Sequence, residues 1–333
     1  MKGRDPLNRA HTRLRRKHTV RPLTVILTIA AVILAAAAAV FGYYTYETHN
    51  FFTVSEYEMT SDRLKSDICA VQLSDLHSVQ FGGNNNSLVS AVQECEPDII
   101  LMTGDMFSRD DKSYDSTLEL IKRLSDIAPV YYSLGNHEKD FCESDSTPES
   151  TQRLRTLLSD IEGAGACALE HTYEDTVIAG NEIRIGGMYG FALVPDEDYF
   201  KELQNNGYME NKEWDEVFND GADCDFLTEF EDTDAFRLLL CHRGEGFVLW
   251  NSFDSYQAEL ILSGHIHGGQ IVLPVLGPVF SPEEGFFPDN VRGMYKSPDG
   301  QSTLILSKGL GSHGMIPRVN NPGELVKINI YAE

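Results

Sequence analysis

The stretch "ICAVQLSDLH", residues 68–77, is a short apolar run that ends in acidic and imidazole side chains. The run has the length and the β-branched content of a buried strand. Asp75 and His77 follow it directly, two residues apart. In extended backbone such residues point to the same side, so the pair is expected to be presented together at the end of a strand.

Four more strand-like runs end in side chains of the same kind. The ends are Gly104-Asp105 after "DIILMT" (98–103), Gly135-Asn136-His137-Glu138 after "VYYSL" (130–134), His242 after "FRLLLC" (236–241) and Gly264-His265-Ile266-His267 after "ELILS" (259–263). One such cluster arises by chance in many chains, whereas five at strand ends are a specific pattern. Because ligands of α/β sheets bind outside the carboxyl ends of the strands, the clusters are predicted to converge on one crevice.

The sequence between these runs predicts an α/β domain. Helical patterns cover 86–95 and 116–127, and a buried strand followed by a helix indicates a βαβ unit with a parallel core. Further strand-like runs lie at 183–190, 302–309 and 325–331. The later strands have shorter connections, which indicate a mixed or second sheet.

The residue types at the strand ends suit metal ions. Aspartate, asparagine and histidine supply the oxygen and imidazole ligands of Mn, Fe, Zn or Mg, and they do not suit copper or an iron–sulfur cluster. Gly104, Gly135 and Gly264 each precede a candidate ligand, where a tight turn and a close approach of the backbone favour a residue without Cβ. Ordinary turn glycines are the alternative at each position.

The N-terminal region predicts a membrane segment. Residues 23–46 contain no charged side chain, and 24 residues at about 1.5 Å each form a helix of about 36 Å, enough to cross a hydrocarbon core of about 30 Å. An uncleaved signal anchor is favoured over a cleaved signal peptide, whose apolar run spans only about 7 to 15 residues. A buried helix of a soluble protein is disfavoured because the segment has no polar face.

Charge predicts the orientation of this segment. Residues 1–21 carry eight basic side chains and one acid, which leaves −31 on the remainder of a chain whose total is −24. The basic arm is therefore expected in the cytoplasm, and the bulk of this single-pass membrane protein outside it. A domain of charge −31 repels nucleic acid at long range, so nucleic acid is not an expected partner.

These features divide the chain into a basic arm (1–22), a transmembrane anchor (23–46), a stalk (47–65) and one folded domain (66–333). Within the domain, residues 195–234 carry fifteen acids and two lysines and are interpreted as an insertion, either a solvated acidic loop or a substrate-facing cap. Cysteines lie in two of the core-strand runs and no C-x-x-C occurs, so neither a disulfide scaffold nor a thiolate zinc site is predicted.

The combined pattern resembles a known family. Asp75-x-His77, Gly104-Asp105, Gly135-Asn136-His137-Glu138, His242 and Gly264-His265-x-His267 resemble the five-block signature of the calcineurin-like metallophosphoesterases, over about residues 68–331. "SDLHSVQFGGNN" and the tail "GLGSHGMIPRVNNPGEL" are similar to the membrane-associated, YkuE-type branch, which includes enzymes resembling UDP-2,3-diacylglucosamine pyrophosphatase. The resemblance implies a mixed α/β fold, a four-layer αββα sandwich of two mixed β-sheets flanked by helices.

The resemblance also implies a site for two divalent cations, of Mn, Fe, Zn or Mg. Asp75, His77, Asp105 and His267 would hold one cation, and Asp105, Asn136, His242 and His265 the other, with Asp105 as the bridge. His137 is implied to be catalytic instead of a ligand, lying over the substrate to assist the leaving group or the phosphoryl charge. The two histidines of "SGHIHGGQ" (263–270) would thus serve different cations.

The implied reaction is hydrolysis of a phosphomonoester, phosphodiester or pyrophosphate by a metal-bridging hydroxide. Two cations about 3.5 to 4 Å apart bind phosphate oxygens and lower the pKa of a shared water to near neutrality. The anchor favours an envelope or lipid-linked phosphate, because tethering raises its effective concentration. A non-catalytic metal-binding sensor or binding module is the alternative, and it would need a broken site, whereas every ligand position here is filled.

Four residues near the predicted site keep two interpretations each. Glu138 either orients His137 or caps its loop. Arg109, Arg243 and Arg318 are candidate phosphate contacts, and an arginine that faces solvent is the alternative for each.

Overall fold

The structure is a computed structural model that describes residues 22–143, 148–192, 197–205, 225–281, 284–313 and 317–333. The chain divides into two compact units, Met1–Tyr43 and Tyr44–Glu333. The predicted basic arm, 1–22, lies outside the described residues except for Pro22.

Helix α1 (Pro22–Asn50) is long and apolar enough to cross a membrane, and its most apolar part is exposed. A signal sequence near the N-terminus would have the same properties. The helix continues past the predicted end at residue 46, and its last turns belong to the second unit, in which Thr48 is buried.

The second unit is built from sixteen described strands and the helices between them. The strands are β1 (Phe52–Ser61), β2 (Ile68–Leu73), β3 (Ile99–Thr103), β4 (Val130–Ser133), β5 (Ala166–Leu169), β6 (Thr172–Ile178), β7 (Asn181–Met188), β8 (Phe236–Cys241), β9 (Leu260–Ser263), β10 (Val272–Leu273), β11 (Gly277–Pro278), β12 (Phe280–Ser281), β13 (Gly285–Phe286), β14 (Gly293–Lys296), β15 (Thr303–Leu306) and β16 (Gly323–Ala332). The described α-helices of this unit are α2 (Asn86–Glu94), α3 (Asp115–Ser125), α4 (Asn136–Glu143), α5 (Pro148–Gly163), α6 (Glu197–Asn205), α7 (Asp225–Glu231) and α8 (Gly246–Leu249), with 3-10 turns at Gly83–Asn85, Ser252–Asp254 and His267–Gly269.

Two six-stranded sheets contain most of these strands. The first has the order β1-β16-β2-β3-β4-β5, in which β2 to β5 are parallel and β16 is antiparallel to β2. The second has the order β14-β15-β9-β8-β7-β6, with a parallel centre and an antiparallel strand at each edge. Both sheets are mixed, as predicted.

Three apolar clusters show the layers. Side chains of both sheets, such as Leu101 and Leu238, meet in one cluster between them. Leu120 of α3 packs in a second cluster on the outer face of the first sheet, and Leu227 of α7 in a third on the outer face of the second. The central strands are therefore buried on both faces, which explains their continuous apolar runs. The predicted four-layer αββα sandwich is confirmed.

Two regions differ from the predicted boundaries. The stretch 47–65, predicted as a stalk, contains β1, which pairs in parallel with β16 at the edge of the first sheet. Its side chains alternate between more and less exposed positions, and that period of two is typical of a strand with one covered face. Within the predicted insertion, 195–234, α7 packs Leu227 and Phe230 onto the second sheet, while 206–224 lies outside the described residues.

Candidate metal centre

The five polar clusters converge where strands of both sheets end. Hydrogen bonds join the loops directly. The amide of Asp75 donates to the carbonyl of Gly104 over 3.0 Å, and the amide of His77 donates to the carbonyl of Asp105 over 3.0 Å. From the second sheet, the amide of Gly264 donates to the carbonyl of His242 over 3.2 Å. Backbone pairing beyond the strands thus fixes the relative positions of the candidate ligands.

The first group of candidate ligands consists of Asp75, His77 and His267, whose ligand atoms lie within 4.8 Å of one another. The Nε2 atoms of the two histidines are 3.2 Å apart, and Nε2 of His267 lies 3.8 Å from Oδ1 of Asp75. Asp75 is fully buried and accepts a hydrogen bond from Ser74 Oγ over 2.6 Å. The contact with Ser74 holds this carboxylate in place.

The second group consists of Asp105, His242 and His265, whose ligand atoms also lie within 4.8 Å of one another. Nε2 of His242 lies 3.3 Å from Oδ2 of Asp105 and 3.2 Å from Oδ1 of Asn136. Oδ2 of Asp105 is also 3.9 Å from Nε2 of His77, which belongs to the first group. Asp105 therefore lies between the two groups, within 4 Å of a histidine of each.

The protonation states of His77, His267 and Asp105 suit cation binding. Burial lowers the pKa of His77 to about 3, and burial together with the neighbouring His77 holds the pKa of His267 well below its usual range. Burial would raise the pKa of Asp105, but His242 beside it holds that pKa well below the ordinary value. Neutral imidazoles and a carboxylate are a donor set that fits borderline divalent cations.

His242 differs in its protonation. Burial alone would lower its pKa, but the Asp105 carboxylate raises it to about 10. Its Nδ1 lies 2.7 Å from the carbonyl oxygen of Thr103 and donates to it, which leaves Nε2 directed at Asp105. A cation bound through Nε2 would have to displace a proton from this ring, because a histidine binds metal only in its neutral form.

The backbone at the candidate ligands is not extended, and here the expectation of paired residues along a strand is wrong. Five of them have positive φ: Asp75 (50°), His77 (46°), Asp105 (54°), His265 (72°) and His267 (51°). Such conformations are uncommon for residues other than glycine and concentrate at functional sites. The chain turns at each ligand, so the side chains meet because of the loops and not because of strand alternation.

Two glycines allow the loops to approach one another. A Cβ at Gly135 would overlap the carboxylate of Asp105, and a Cβ at Gly264 would overlap Ser74 and Asp75. Glycine is therefore required at these two positions by the close approach of the backbone, and they are not ordinary turn glycines.

Glu138 caps the loops around Asp105. Its carboxylate accepts hydrogen bonds from the amides of Asp105 (2.8 Å), Met106 (2.7 Å) and Gly135 (2.9 Å) and from the hydroxyl of Tyr132 (2.7 Å). These four contacts favour the capping interpretation over orientation of His137.

His137 lies beside Asp105, with Nε2 4.0 Å from Oδ2. The backbone amide of Arg109 donates to its Nδ1 over 3.1 Å, so the neutral ring carries its proton on Nε2. Burial lowers the pKa of His137 to about 4. The ring therefore presents an N–H donor next to the proposed bridge.

His313 is a member of this region that the strand-end pattern missed. Its ring centroid is 4.4 Å from that of His137, and its Nδ1 lies 3.4 Å from Ser108 Oγ, which also approaches Nδ1 of His77 at 3.3 Å. The residue lies in the tail "GLGSHGMIPRVNNPGEL", which carried part of the family resemblance but follows no strand that ends in a ligand. The similarity of that tail to the family was therefore the sequence signal that could have identified His313.

The three arginines lie in different settings. Arg109 pairs with Asp140, and its Nη2 is 3.4 Å from Nε2 of His137. The guanidinium of Arg243 lies 5.1 Å from the ring centroid of Phe191. Arg318 is buried and donates to the carbonyls of Gly311 (2.6 Å), Lys308 (2.6 Å) and His267 (3.2 Å).

Several known proteins are similar to this chain. The model of the family described as calcineurin-like phosphoesterase matches residues 70–269. The chain is 24% identical to the uncharacterized metallophosphoesterase YkuE of Bacillus subtilis, over 85% of this chain and 86% of that protein. It is also 24% identical to the phosphodiesterase YaeI of Escherichia coli, over 72% of this chain and 74% of that protein.

Among solved structures, a dimetal phosphatase from Danio rerio aligns with a TM-score of 0.41 and 12% identity, over 74% of this chain and 89% of that chain. The narrower resemblance to UDP-2,3-diacylglucosamine pyrophosphatase is not confirmed by these relatives.

Proposed function

The chain belongs to the family of calcineurin-like phosphoesterases, and we propose that it hydrolyses its phosphoester substrate with two divalent cations bound at the strand ends. Membership makes the protein a hydrolase of phosphoester bonds. Asp75, His77, Asp105 and His267 would hold one cation, and Asp105, Asn136, His242 and His265 the other. The observation that carries the proposal is the position of Asp105, whose Oδ2 lies 3.3 Å from His242 and 3.9 Å from His77, one residue of each group.

The side chains around this bridge have separate tasks. Bound cations would supply binding of phosphate oxygens and a lowered pKa of water. Asn136 contributes a neutral oxygen, which leaves positive charge at the site for the phosphate. The Nε2–H of His137 donates to the phosphoryl or leaving-group oxygen as negative charge develops there. Nη2 of Arg109, 3.4 Å from that nitrogen, donates to the same group.

The other two arginines are assigned different roles. The guanidinium of Arg318 is engaged with three backbone carbonyls, which favours support of the loop that carries His267 over contact with a substrate. Arg243 remains a candidate phosphate contact beside His242.

We further propose that helix α1 is retained as an anchor, with the basic arm in the cytoplasm and the second unit outside the membrane. The charge excess of the arm and the length of the apolar helix support this orientation. A tethered enzyme meets membrane-bound substrates at high effective concentration, so an envelope or lipid-linked phosphate is the proposed substrate class. The acidic charge of the remaining chain disfavours nucleic acid.

Hydrolysis by the full chain in detergent tests the proposal. The substrates are an aryl phosphomonoester and an aryl phosphodiester, with Mn²⁺ added. Asp105→Asn is expected to lose bound metal and turnover together, whereas His137→Ala keeps its metal and loses turnover by about 10²- to 10⁴-fold. Asp126→Asn and His49→Ala, at exposed positions outside the cluster, serve as matched controls. Rates equal to the parent in both site variants would refute the proposal.

A further inference from the structure

Two short hairpins, β10–β11 and β12–β13, expose a concentration of apolar side chains. Among the described residues from Phe51 onward, ten large apolar side chains are exposed, and six of them fall between positions 273 and 287: Leu273, Val275, Leu276, Phe280, Phe286 and Phe287. The sequence from 271 to 282 contains no charged residue, in a chain that is 23% charged, and Glu283 and Glu284 are the only charged residues from 271 to 288. Single exposed apolar residues are normal in soluble proteins, but a concentrated patch marks a binding surface.

The tip of the first hairpin is apolar at a conformational cost. Val275 is fully exposed and has φ of 72°. A β-branched residue in this conformation is an outlier, and glycine or asparagine would be favoured if only folding mattered. Strain kept at an exposed apolar side chain indicates a partner outside the fold.

The hairpins lie beside the point where the second unit begins. Tyr44 Oη donates to Oδ1 of Asn320 over 2.9 Å, and Nδ2 of Asn320 donates to the carbonyl of Val272, the first residue of β10, over 3.1 Å. Tyr44 is bonded covalently to Tyr43, the last residue of the first unit. A bilayer that holds the apolar residues of α1 must therefore come within a few residues of Tyr44, and so close to the hairpins.

We propose that hairpins β10–β11 and β12–β13 insert their exposed apolar side chains into the interfacial region of the bilayer that holds α1. Segments of this kind bury their apolar face about 5 to 10 Å into the headgroup and acyl boundary. The net charge of −31 outside the basic arm disfavours attraction to anionic lipid, so apolar insertion is the driving force. The inference rests on the anchoring proposed above.

Docking of the hairpins would also position the metal centre. β10 begins five residues after His267, and Gly269 packs so closely on Pro278 of β11 that a Cβ would overlap it. The loop that carries His267 is thus attached directly to the inserted hairpin. An amphiphilic phosphate could then reach the site without leaving the membrane surface.

Fluorescence quenching in vesicles tests the proposal. The full chain is reconstituted into phosphatidylcholine vesicles with or without brominated acyl chains, as the parent, as Leu276→Trp and as Val177→Trp. Val177 is the matched control, since it is 65% exposed against 62% for Leu276 and lies in β6, at the edge of the second sheet opposite β14. The emission of the parent, which comes from Trp214 and Trp250, is subtracted from that of each variant. Thermal unfolding verifies that both variants fold.

Leu276→Trp is expected to lose about half of its added emission in brominated vesicles, because an indole buried about 5 to 10 Å into the acyl boundary comes close to the bromine atoms, which quench only at short range. Val177→Trp is expected to keep its emission. Equal emission of Leu276→Trp in both kinds of vesicle would overturn the proposal, and so would protection from a water-soluble quencher without bromine quenching, which would indicate a protein on the hairpins.

Flotation of the parent with the vesicles tests the anchoring separately, and a parent that does not float overturns the anchoring and the docking together. Quenching requires no turnover. A hydrolytically active chain without quenching would lose only the docking, and an inactive chain with quenching would lose only the proposed reaction.

Discussion

His242 donates a hydrogen bond from Nδ1 to the carbonyl oxygen of Thr103 over 2.7 Å, and this bond joins the second sheet to the first. Both residues are fully buried, so loss of the donor would leave a carbonyl without its partner in the core. The other nitrogen of the same ring lies 3.3 Å from Asp105. One imidazole therefore links the two sheets by a hydrogen bond and also lies at the proposed metal centre.

A pair of substitutions separates these two roles. His242→Asn keeps an amide donor about where Nδ1 lies, whereas His242→Ala removes both nitrogens. Each variant is expected to lose about one cation per chain by elemental analysis, since the proposed second cation depends on this ring. In the presence of a chelator, the free energy of unfolding of His242→Ala is expected to be about 1 to 3 kcal/mol lower than that of His242→Asn, because His242→Ala alone removes the donor of the 2.7 Å hydrogen bond to the Thr103 carbonyl. Equal unfolding free energies would contradict the structural role.

Glu138→Gln is expected to disturb Asp105, the proposed bridge, without replacing any proposed metal ligand. A glutamine offers one acceptor oxygen, so its NH2 group faces either the amides of Asp105 and Gly135, which bond to Oε2, or the Met106 amide and Tyr132 hydroxyl, which bond to Oε1. Urea unfolding should show a loss of about 1 to 3 kcal/mol. Bound metal should fall as well, because either orientation places the NH2 group against an amide donor of the loop at Asp105 or Met106. Glu119→Gln, at an exposed position of α3, is the control, and an unchanged metal content in Glu138→Gln would exclude the positioning role.

The eight strand-like runs and the two helical patterns were predictable because their residues obey local rules. β2 and β8 are continuous apolar runs buried on both faces, and such runs are recognisable without knowledge of their neighbours. β1 was not predicted, since its alternating, partly exposed side chains become a strand only through pairing with β16, which lies more than 260 residues away. Pairing across that separation leaves no local pattern beyond a weak period of two.

The same distinction holds at the site. The identities of Asp75, Asp105 and His265 at strand ends were readable from the sequence, but their positive φ values were not, because this conformation is uncommon for non-glycine residues and depends on the surrounding structure. His313 was missed for a related reason: it reaches His137 from a loop near the end of the chain, where no strand directs it. Spatial neighbours of this kind are set by the packing of the two sheets.

Gly135→Ala is expected to damage the metal centre through sterics alone. The added Cβ would overlap the Asp105 carboxylate, so either that side chain or the backbone must shift. Overpacking of this kind typically costs about 1 to 3 kcal/mol. Gly163→Ala is the control, because nothing lies within 4 Å of its Cβ position. A lowered melting temperature and metal content in Gly135→Ala, with neither in Gly163→Ala, would agree with the structure, and retention of both cations would not.

Removal of metal is expected to lower the melting temperature of the parent more than that of the Asp75→Asn variant. Asp75 and Asp105 are 0% and 1% exposed, and burial raises the pKa of Asp75, so two buried carboxylates face each other when no cation neutralises them. Cations at about 100 times their dissociation constant contribute about 2.7 kcal/mol each, and chelation should therefore lower the melting temperature of the parent by about 5 °C or more. Asp75→Asn removes a proposed ligand, which lowers the melting temperature of the metal-bound form. It also removes a buried charge, which raises the melting temperature of the metal-free form. The difference in melting temperature between the two forms is therefore smaller than in the parent. Calorimetry with and without a chelator measures that difference, and Asp126→Asn should show the full drop of the parent. A drop in Asp75→Asn as large as in the parent would mean that this carboxylate holds no cation.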